Sequence, residues 1–268
     1  MKLLLISNST NYKEPYLGWC QSLIADFCQK NGIKAESNLL FVPYAGVKIS
    51  GQSFPQSYDA YEKRVQDVFK TLGFNNLHSV HHQHGKDLSK AVQNADCIIV
   101  GGGNTFHLVK EMHHYGLMEL VKNQVINGTP YIGWSAGSNI ACPTLCTTND
   151  MPIVQPKSMD ALGLVPFQIN PHYIDPYPEE INDAIRHGGE TRMDRIREYL
   201  TVNQDVTVLG LRESSALEIE GNHMELKGKN KMVVLQWDKE KDNIKEGLPE
   251  RAIGETVSDL LVQNCNKK

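Results

Sequence analysis

Short apolar runs alternate with longer amphipathic segments along the first half of the chain. The runs Leu3–Ile6, Leu39–Val42 and Cys97–Val100 contain no polar residue, which is typical of parallel strands that are buried on both faces. Between them, apolar residues recur at helical spacing, and the segment Leu117–Ile126 leads into Asn-Gly, a helix-ending signal. This alternation predicts an α/β fold, a three-layer sandwich with a mostly parallel central sheet and helices on both faces.

The second half of the chain has more strands and fewer helices. A polar turn at 147–150 is followed by an apolar stretch that predicts a strand, and further strands are predicted at 165–172 and 206–211. The tail from residue 216 predicts C-terminal β-hairpins, with strands at 216–219, 223–226 and 232–237. Because no repeat or linker interrupts the pattern, residues 1–268 are interpreted as a single domain, with the hairpins and tail at 216–268.

Composition and charge indicate which partners and which cellular compartment to expect. The 268 residues include 27 Lys and Arg against 31 Asp and Glu, a net charge of -4 with no basic block, so nucleic acid is not an expected partner. Six cysteines lack the spacing of a disulfide framework, which favours free thiols in a reducing cytoplasm. No apolar run approaches the length that spans a membrane, so a membrane partner is not expected.

One apolar strand runs into a turn that has Ser135 at its centre. Gly133 and Gly137 flank this serine at the spacing of a nucleophile elbow, in which a strained turn between strand and helix exposes the hydroxyl. Ala136 follows, and its backbone N–H is a candidate donor to an oxyanion. A turn that contains Gly-x-Ser-x-Gly by chance is the alternative interpretation.

A second glycine-rich turn follows the strand Cys97–Val100. Three glycines precede Asn104, but the segment lacks the last glycine of the dinucleotide fingerprint and the Gly-Lys of a phosphate loop. The turn is therefore interpreted as the source of a second oxyanion donor, Gly103, at the same sheet edge as Ser135. No nucleotide-binding site is expected at this turn.

A serine hydroxyl needs a neighbouring base, and ten histidines compete for that role. His172 is favoured because it ends a predicted strand after a rigid Asn-Pro, which in a parallel sheet brings it to the edge that carries Ser135. Asp150 and Glu213 are both candidates for the acid that orients the imidazole, and the residue pattern leaves the choice open. Four further histidines, at positions 78, 81, 82 and 84, are interpreted as solvated or edge residues. A metal site there stays open as an alternative, but none is assigned because no accompanying acid pattern is present.

Five ordered segments, at 98–106, 131–137, 147–154, 168–172 and 189–192, together resemble peptidase E, the α-aspartyl dipeptidase family. With the N-terminal strand and the segment after residue 41, the resemblance covers residues 1–215. It implies a cytoplasmic serine peptidase, without cofactor, that cleaves dipeptides with an N-terminal aspartate. It also implies a fold similar to that of the class I glutamine amidotransferases, and leaves open a monomer or a homodimer.

The resemblance assigns roles residue by residue. The implied nucleophile and base are Ser135 and His172, the acid is Asp150 or Glu213, the oxyanion donors are Gly103 and Ala136, and the substrate-binding residues are Arg192 and Asn104. Arg192 is implied to hold the aspartyl carboxylate of the substrate, a pairing in which a guanidinium fork gives both charge and geometry.

The chain departs from the bacterial pattern in three places: a longer loop between His172 and Gly188, an expanded segment near 51–61, and Leu-Arg-Glu-Ser at 211–214 where the family has Pro-Glu-Gly. Because of these changes, the resemblance does not define the outer wall of the pocket, and it supports Glu213 as the acid less strongly. Two other functions stay open: a hydrolase of the same fold that acts on another aspartyl compound, such as a β-linked aspartyl-arginine polymer, and a non-catalytic binding protein on this scaffold.

Overall fold

The apolar runs form the strands of a central sheet. The computed structural model describes residues 1–49, 53–83, 87–176, 190–245 and 250–262. Its strands are β1 Lys2–Ile6, β2 Leu39–Val42, β3 Leu77–Ser79, β4 Cys97–Val100, β5 Tyr131–Trp134, β6 Gln168–Tyr173, β7 Val208–Arg212, β8 Ser215–Glu220, β9 His223–Gly228, β10 Met232–Leu235, β11 Trp237–Asp238 and β12 Asn243–Ile244.

Amphipathic segments form the helices between the strands. They are α1 Gln21–Lys30, α2 Phe54–Thr71, α3 Leu88–Gln93, α4 Thr105–His114, α5 Leu117–Ile126, α6 Ala136–Asn139, α7 Arg192–Val202 and α8 Asp259–Val262, with 3₁₀ turns at Gly18–Cys20 and Val80–Gln83. Helix α2 begins earlier than its apolar face indicates, because Ser53 and Gln56 form a capping box and a proline occupies the first turn. Among the described residues, no helix is both long and apolar enough to cross a membrane.

The central sheet has seven strands in the order β3-β2-β4-β5-β1-β8-β9. The first five strands are parallel, whereas β8 and β9 form an antiparallel hairpin at one edge. Successive residues of a strand point to opposite faces, so Leu4 and Ile6 pack with α1 and α2, while Leu3 and Leu5 pack with α4 and α5. Both faces are covered, which confirms the predicted α/β sandwich.

A second sheet has the order β10-β7-β6. Strand β6 pairs with β7 in parallel, and β10 pairs with β7 in antiparallel register. The strand that carries His172 therefore does not belong to the central sheet, and the expectation that one parallel sheet positions both His172 and Ser135 is wrong. The third predicted hairpin strand likewise joins β7 rather than the β8–β9 hairpin.

The apolar strand predicted after the turn at 147–150 does not form. The described residues between 151 and 167 contain an isolated bridge, Thr144 to Asp160, and no strand. Met151 is 77% exposed and Ile153 is 54% exposed, so these apolar side chains do not belong to a buried strand. The carbonyl of Met151 instead accepts a hydrogen bond from the side chain of Asn104.

Candidate active site

The turn between β5 and α6 holds Ser135 in a strained conformation. Its φ is 54° and its ψ is -112°, a region that non-glycine residues rarely occupy. A Cβ on Gly133 would lie 2.5 Å from the carbonyl oxygen of Gly137, and a Cβ on Gly137 would lie 2.1 Å from that of Val100. Both flanking positions therefore require glycine, and the elbow leaves the half-buried Ser135 hydroxyl at the end of the sheet.

His172 reaches this hydroxyl from the second sheet. A bulge interrupts the β6–β7 pairing between Pro171 and Tyr173, and His172 has a φ of 54° there. Its backbone N–H donates to Ser7 Oγ at 3.0 Å, and that hydroxyl donates to the Leu211 carbonyl at 2.8 Å. Ser7, at the end of β1, thus ties the two sheets together beside the bulge. His172 Nε2 lies 2.8 Å from Ser135 Oγ.

The other nitrogen of the imidazole faces Glu213. Nδ1 of His172 lies 3.0 Å from Oε1 of Glu213. Because a carboxylate only accepts hydrogen bonds, Nδ1 carries the proton, and Nε2 is left to accept from the Ser135 hydroxyl. The turn that positions Glu213 is held by Asn230, whose amide donates to the Glu213 carbonyl at 2.6 Å, and by Asn8, whose side-chain oxygen accepts from the Ser214 N–H at 2.8 Å.

Asp150 lines the cavity that contains Ser135 and His172, but its hydrogen-bond partners are other residues. Its Oδ2 accepts from the backbone N–H of Thr105 at 2.7 Å and from the Thr105 hydroxyl at 2.6 Å, at the N-terminus of α4. A carboxylate at that position is stabilised by the unpaired N–H groups of the first helical turn. Oδ1 of Asp150 has no hydrogen-bond partner among the described residues. Of the two candidate acids, the one in contact with His172 is Glu213.

The glycine-rich turn after β4 runs alongside the elbow. A Cβ on Gly103 would lie 2.2 Å from the Ala45 carbonyl oxygen, and the φ of Gly103 is 134°. Within the described part of the chain, the backbone N–H groups of Gly103 and Ala136 donate to no acceptor. They are therefore available to a ligand at Ser135.

Asn104 is engaged within the protein. Its side-chain oxygen accepts from the His107 N–H at 3.0 Å and caps α4, while its amide nitrogen donates to the Met151 carbonyl at 3.0 Å. Asn104 therefore supports the turn, and its side-chain geometry gives no support to the expected contact with substrate.

Tyr61 supports the glycine turn, a contribution that its place on the apolar face of α2 does not reveal. Its hydroxyl donates to the Gly102 carbonyl at 2.8 Å and lies 3.1 Å from Nε1 of Trp134, the residue that precedes Ser135. Burial raises the pKa of Tyr61 to about 12, so the hydroxyl stays neutral and remains a donor. The hydroxyl joins the two turns that flank the candidate site.

Two cavities meet at Asp150. One, of about 390 Å³, is lined by Ser135, His172 and Gly103, and the other, of about 400 Å³, is lined by Arg192. Asp150 lines both. Arg192 thus lies in the adjoining cavity rather than in the one that contains Ser135. Most of the loop at 173–188 lies outside the described residues.

The arginines of α7 differ in their partners. Arg195 pairs with Glu190 and Glu198, and Arg197 pairs with Asp194. Arg192, at the first position of the helix and half-buried, forms no hydrogen bond or ion pair with any described residue. Its guanidinium is available to a ligand that enters the second cavity.

Comparison with known proteins identifies the family. The model of peptidase family S51 matches residues 3–227 of the 268. The chain belongs to this family of serine peptidases.

Relatives named peptidase E match most of the chain. A peptidase E from a Nostoc species is 42% identical over 243 residues, which cover 90% of this chain and 91% of the relative. A peptidase E from Haemophilus influenzae is 41% identical over 238 residues, which cover 87% of this chain and 99% of the relative. A crystal structure of a peptidase from an acI-B1 actinobacterium has the same fold, with a TM-score of 0.64 at 15% identity over 96% of both chains. As a member of family S51 with these relatives, the protein is an enzyme that hydrolyses peptides.

Proposed function

We propose that this serine peptidase hydrolyses dipeptides with an N-terminal aspartate, with Ser135 as nucleophile, His172 as base and Glu213 as the orienting acid. One observation carries the proposal: the imidazole of His172 lies within hydrogen-bond distance of Ser135 Oγ on one side and of Glu213 on the other. This is the arrangement that acyl transfer by a serine requires.

Each step follows from the positions of these groups. The Ser135 hydroxyl attacks the peptide carbonyl while its proton passes to Nε2 of His172, and Glu213 stabilises the imidazolium through Nδ1. The oxyanion accepts hydrogen bonds from the N–H groups of Gly103 and Ala136. His172 then protonates the leaving amine, which leaves an aspartyl ester on Ser135. A water molecule, deprotonated by His172, hydrolyses the ester and releases aspartate.

The two ends of the aspartyl residue find opposite charges. Asp150 offers its free Oδ1 to the substrate's ammonium group, and Arg192 offers an unpaired guanidinium to the side-chain carboxylate in the adjoining cavity. An N-terminal residue without that carboxylate leaves Arg192 unpaired, which disfavours its binding.

The expected setting is a cytoplasmic one. We propose a monomer or homodimer that acts on free dipeptides and binds no nucleic acid. All five cysteines in the described part of the chain are free thiols, which supports a reducing compartment. The net charge of -4 offers polyanions no attraction.

The test is a panel of dipeptides with matched variants of α7. The wild type is expected to hydrolyse Asp-Leu much faster than Glu-Leu, Ala-Leu or a β-linked Asp-Leu. Arg192→Ala should lower kcat/KM for Asp-Leu about 100-fold, the effect of losing a charge-assisted pair, with little change for Ala-Leu. Arg197→Ala, which removes an arginine already paired with Asp194, is the control and should retain wild-type kinetics.

Two outcomes would contradict the proposed specificity. Equal turnover of Ala-Leu and Asp-Leu by the wild type would remove the role of Arg192. Faster turnover of the β-linked substrate would instead favour a hydrolase of β-aspartyl compounds.

A further inference from the structure

A second group of polar side chains lies outside both cavities. Asp59 and Glu62 of α2 face His81 and His82 of the 3₁₀ turn after β3, and one ligand atom from each residue lies within 4.8 Å of the others. We call these four residues the His81 cluster. The two acids are three positions apart on a helix, which puts both carboxylates on one face. The sequence gives no local sign of them, because they precede the histidines by about 20 residues and the fold brings them together.

The distances within the His81 cluster are short. Nε2 of His81 lies 2.8 Å from Oδ1 of Asp59, and Nε2 of His82 lies 2.7 Å from Oε2 of Glu62 and 3.6 Å from Oδ1 of Asp59. Ligand atoms around a tetrahedral zinc ion are about 3.3 Å apart, given metal–ligand bonds of about 2.0–2.1 Å. The shortest of the separations quoted for the cluster is 2.7 Å and none exceeds 4.8 Å, so they bracket that value.

Hydrogen bonds from outside the cluster orient two of its members. Nδ1 of His81 lies 2.6 Å from the Ser79 hydroxyl, so its Nε2 is directed at the cluster. Oε1 of Glu62 accepts from the Ser79 N–H at 2.8 Å and from the Gln66 amide at 3.2 Å, which leaves Oε2 directed at the cluster. Metal ligands in proteins are commonly held by such supporting bonds.

The charges in the cluster favour a bound cation. Glu62 is a buried carboxylate, and among the described residues the ion-pair partners of Asp59 and Glu62 are the two histidines. Two carboxylates and two imidazoles that face one another are a donor set for a metal cation.

We propose that the His81 cluster binds one divalent transition-metal ion of the zinc class through Nε2 of His81, Nε2 of His82 and the carboxylates of Asp59 and Glu62. Two imidazoles with two carboxylates suit zinc and its first-row neighbours better than the oxygen-preferring calcium and magnesium. The bound ion joins α2 to the turn after β3. Its role is structural, because Ser135 chemistry uses none of these four residues.

The test measures binding directly, with the full chain freed of metal by a chelator. Zn²⁺ titrated by calorimetry is expected to bind with one equivalent and to raise Tm. His82→Gln and Asp59→Asn, at positions whose side chains are half exposed, should each weaken that binding about 100-fold or more without unfolding the protein. His223→Gln, at an exposed histidine far along the chain, is the control and should bind like the wild type.

Cobalt identifies the ligands. Co²⁺ bound at the cluster should give a visible absorption band without the near-ultraviolet band of a thiolate complex, and Cys146→Ser should leave the spectrum unchanged. The proposal would be overturned if the protein bound less than one equivalent of Zn²⁺, or if the Co²⁺ complex showed a thiolate band. It would also be overturned if both cluster variants bound Zn²⁺ as tightly as the wild type. None of these measurements depends on peptidase activity.

Discussion

Three non-glycine residues with positive φ gather at the candidate site: Ser135 at 54°, His172 at 54° and Ser214 at 63°. Each such conformation costs on the order of 1–3 kcal/mol and persists where the surrounding contacts enforce it. Here the contacts are identifiable, namely the glycines around Ser135, the Ser7 hydroxyl under His172 and the Asn8 side chain at Ser214. The strain thus lies at the three positions that aim the hydroxyl, the imidazole and the Glu213 carboxylate.

The two candidate acids make different predictions. Glu213→Gln removes the negative charge beside Nδ1 of His172, and we expect it to lower kcat for Asp-Leu about 100-fold with little change in KM. Asp150→Asn keeps an oxygen for the Thr105 N–H but loses the charge offered to the substrate's ammonium group, so it should mainly raise KM. Steady-state kinetics of the two variants measure both effects. A lower kcat for Asp150→Asn with a raised KM for Glu213→Gln would instead make Asp150 the orienting acid.

The sequence indicates the residues of the site more readily than their partners. Ser135 and His172 stand in recognisable local contexts, a glycine-flanked turn and a strand end after Asn-Pro. The choice between Asp150 and Glu213 depends on which carboxylate approaches the imidazole, and both occupy polar loops that local pattern treats alike. The resemblance assigns Asn104 to substrate binding, whereas its position just before α4 makes it a helix cap.

At the scale of elements, the apolar runs predict the central strands well because a strand covered on both faces must be apolar throughout. The pattern also predicts β6 but not its membership of the second sheet, since pairing partners are set by distant residues of β7 and β10. The prediction of a strand after the turn at 147–150 is wrong for another reason, which is that Met151 and Ile153 are apolar but exposed.

The elbow makes a prediction about stability. Gly137→Ala should destabilise the protein by about 3 kcal/mol or more, because the new Cβ would meet the backbone carbonyl of Val100 between α6 and β4. Gly32→Ala is the matched control: Gly32 has a φ of 73° with nothing within 4 Å of the added Cβ, so its cost should be about 1 kcal/mol. Urea unfolding measures both, and equal losses would show that the elbow is not tightly packed.

The two sheets share one apolar core. Leu3 and Leu5 of β1 belong to the same buried cluster as Ile169 of β6 and Leu209 and Leu211 of β7. The sheets are also joined beside the site, where Ser7 contacts His172 and Leu211. The candidate triad is therefore assembled across the junction: Ser135 follows β5 of the central sheet, His172 lies on β6 of the second sheet, and Glu213 lies in the turn that joins β7 to β8.

This shared core predicts a single domain. We expect one calorimetric unfolding transition, with peptidase activity lost in the same temperature range, because separating the sheets would expose apolar surface of both. Two resolved transitions, with the second sheet melting first, would show instead that strands β6, β7 and β10 unfold on their own.

The proposed mechanism requires that the Ser135 hydroxyl, activated by His172, attack the peptide carbonyl. Its most direct test is the rate of Asp-Leu hydrolysis by the wild type beside Ser135→Ala and His172→Ala, with folding of each variant checked by circular dichroism. We expect both folded variants to lose activity by about 10⁴-fold or more. Hydrolysis by a folded Ser135→Ala variant at a rate near that of the wild type would contradict it.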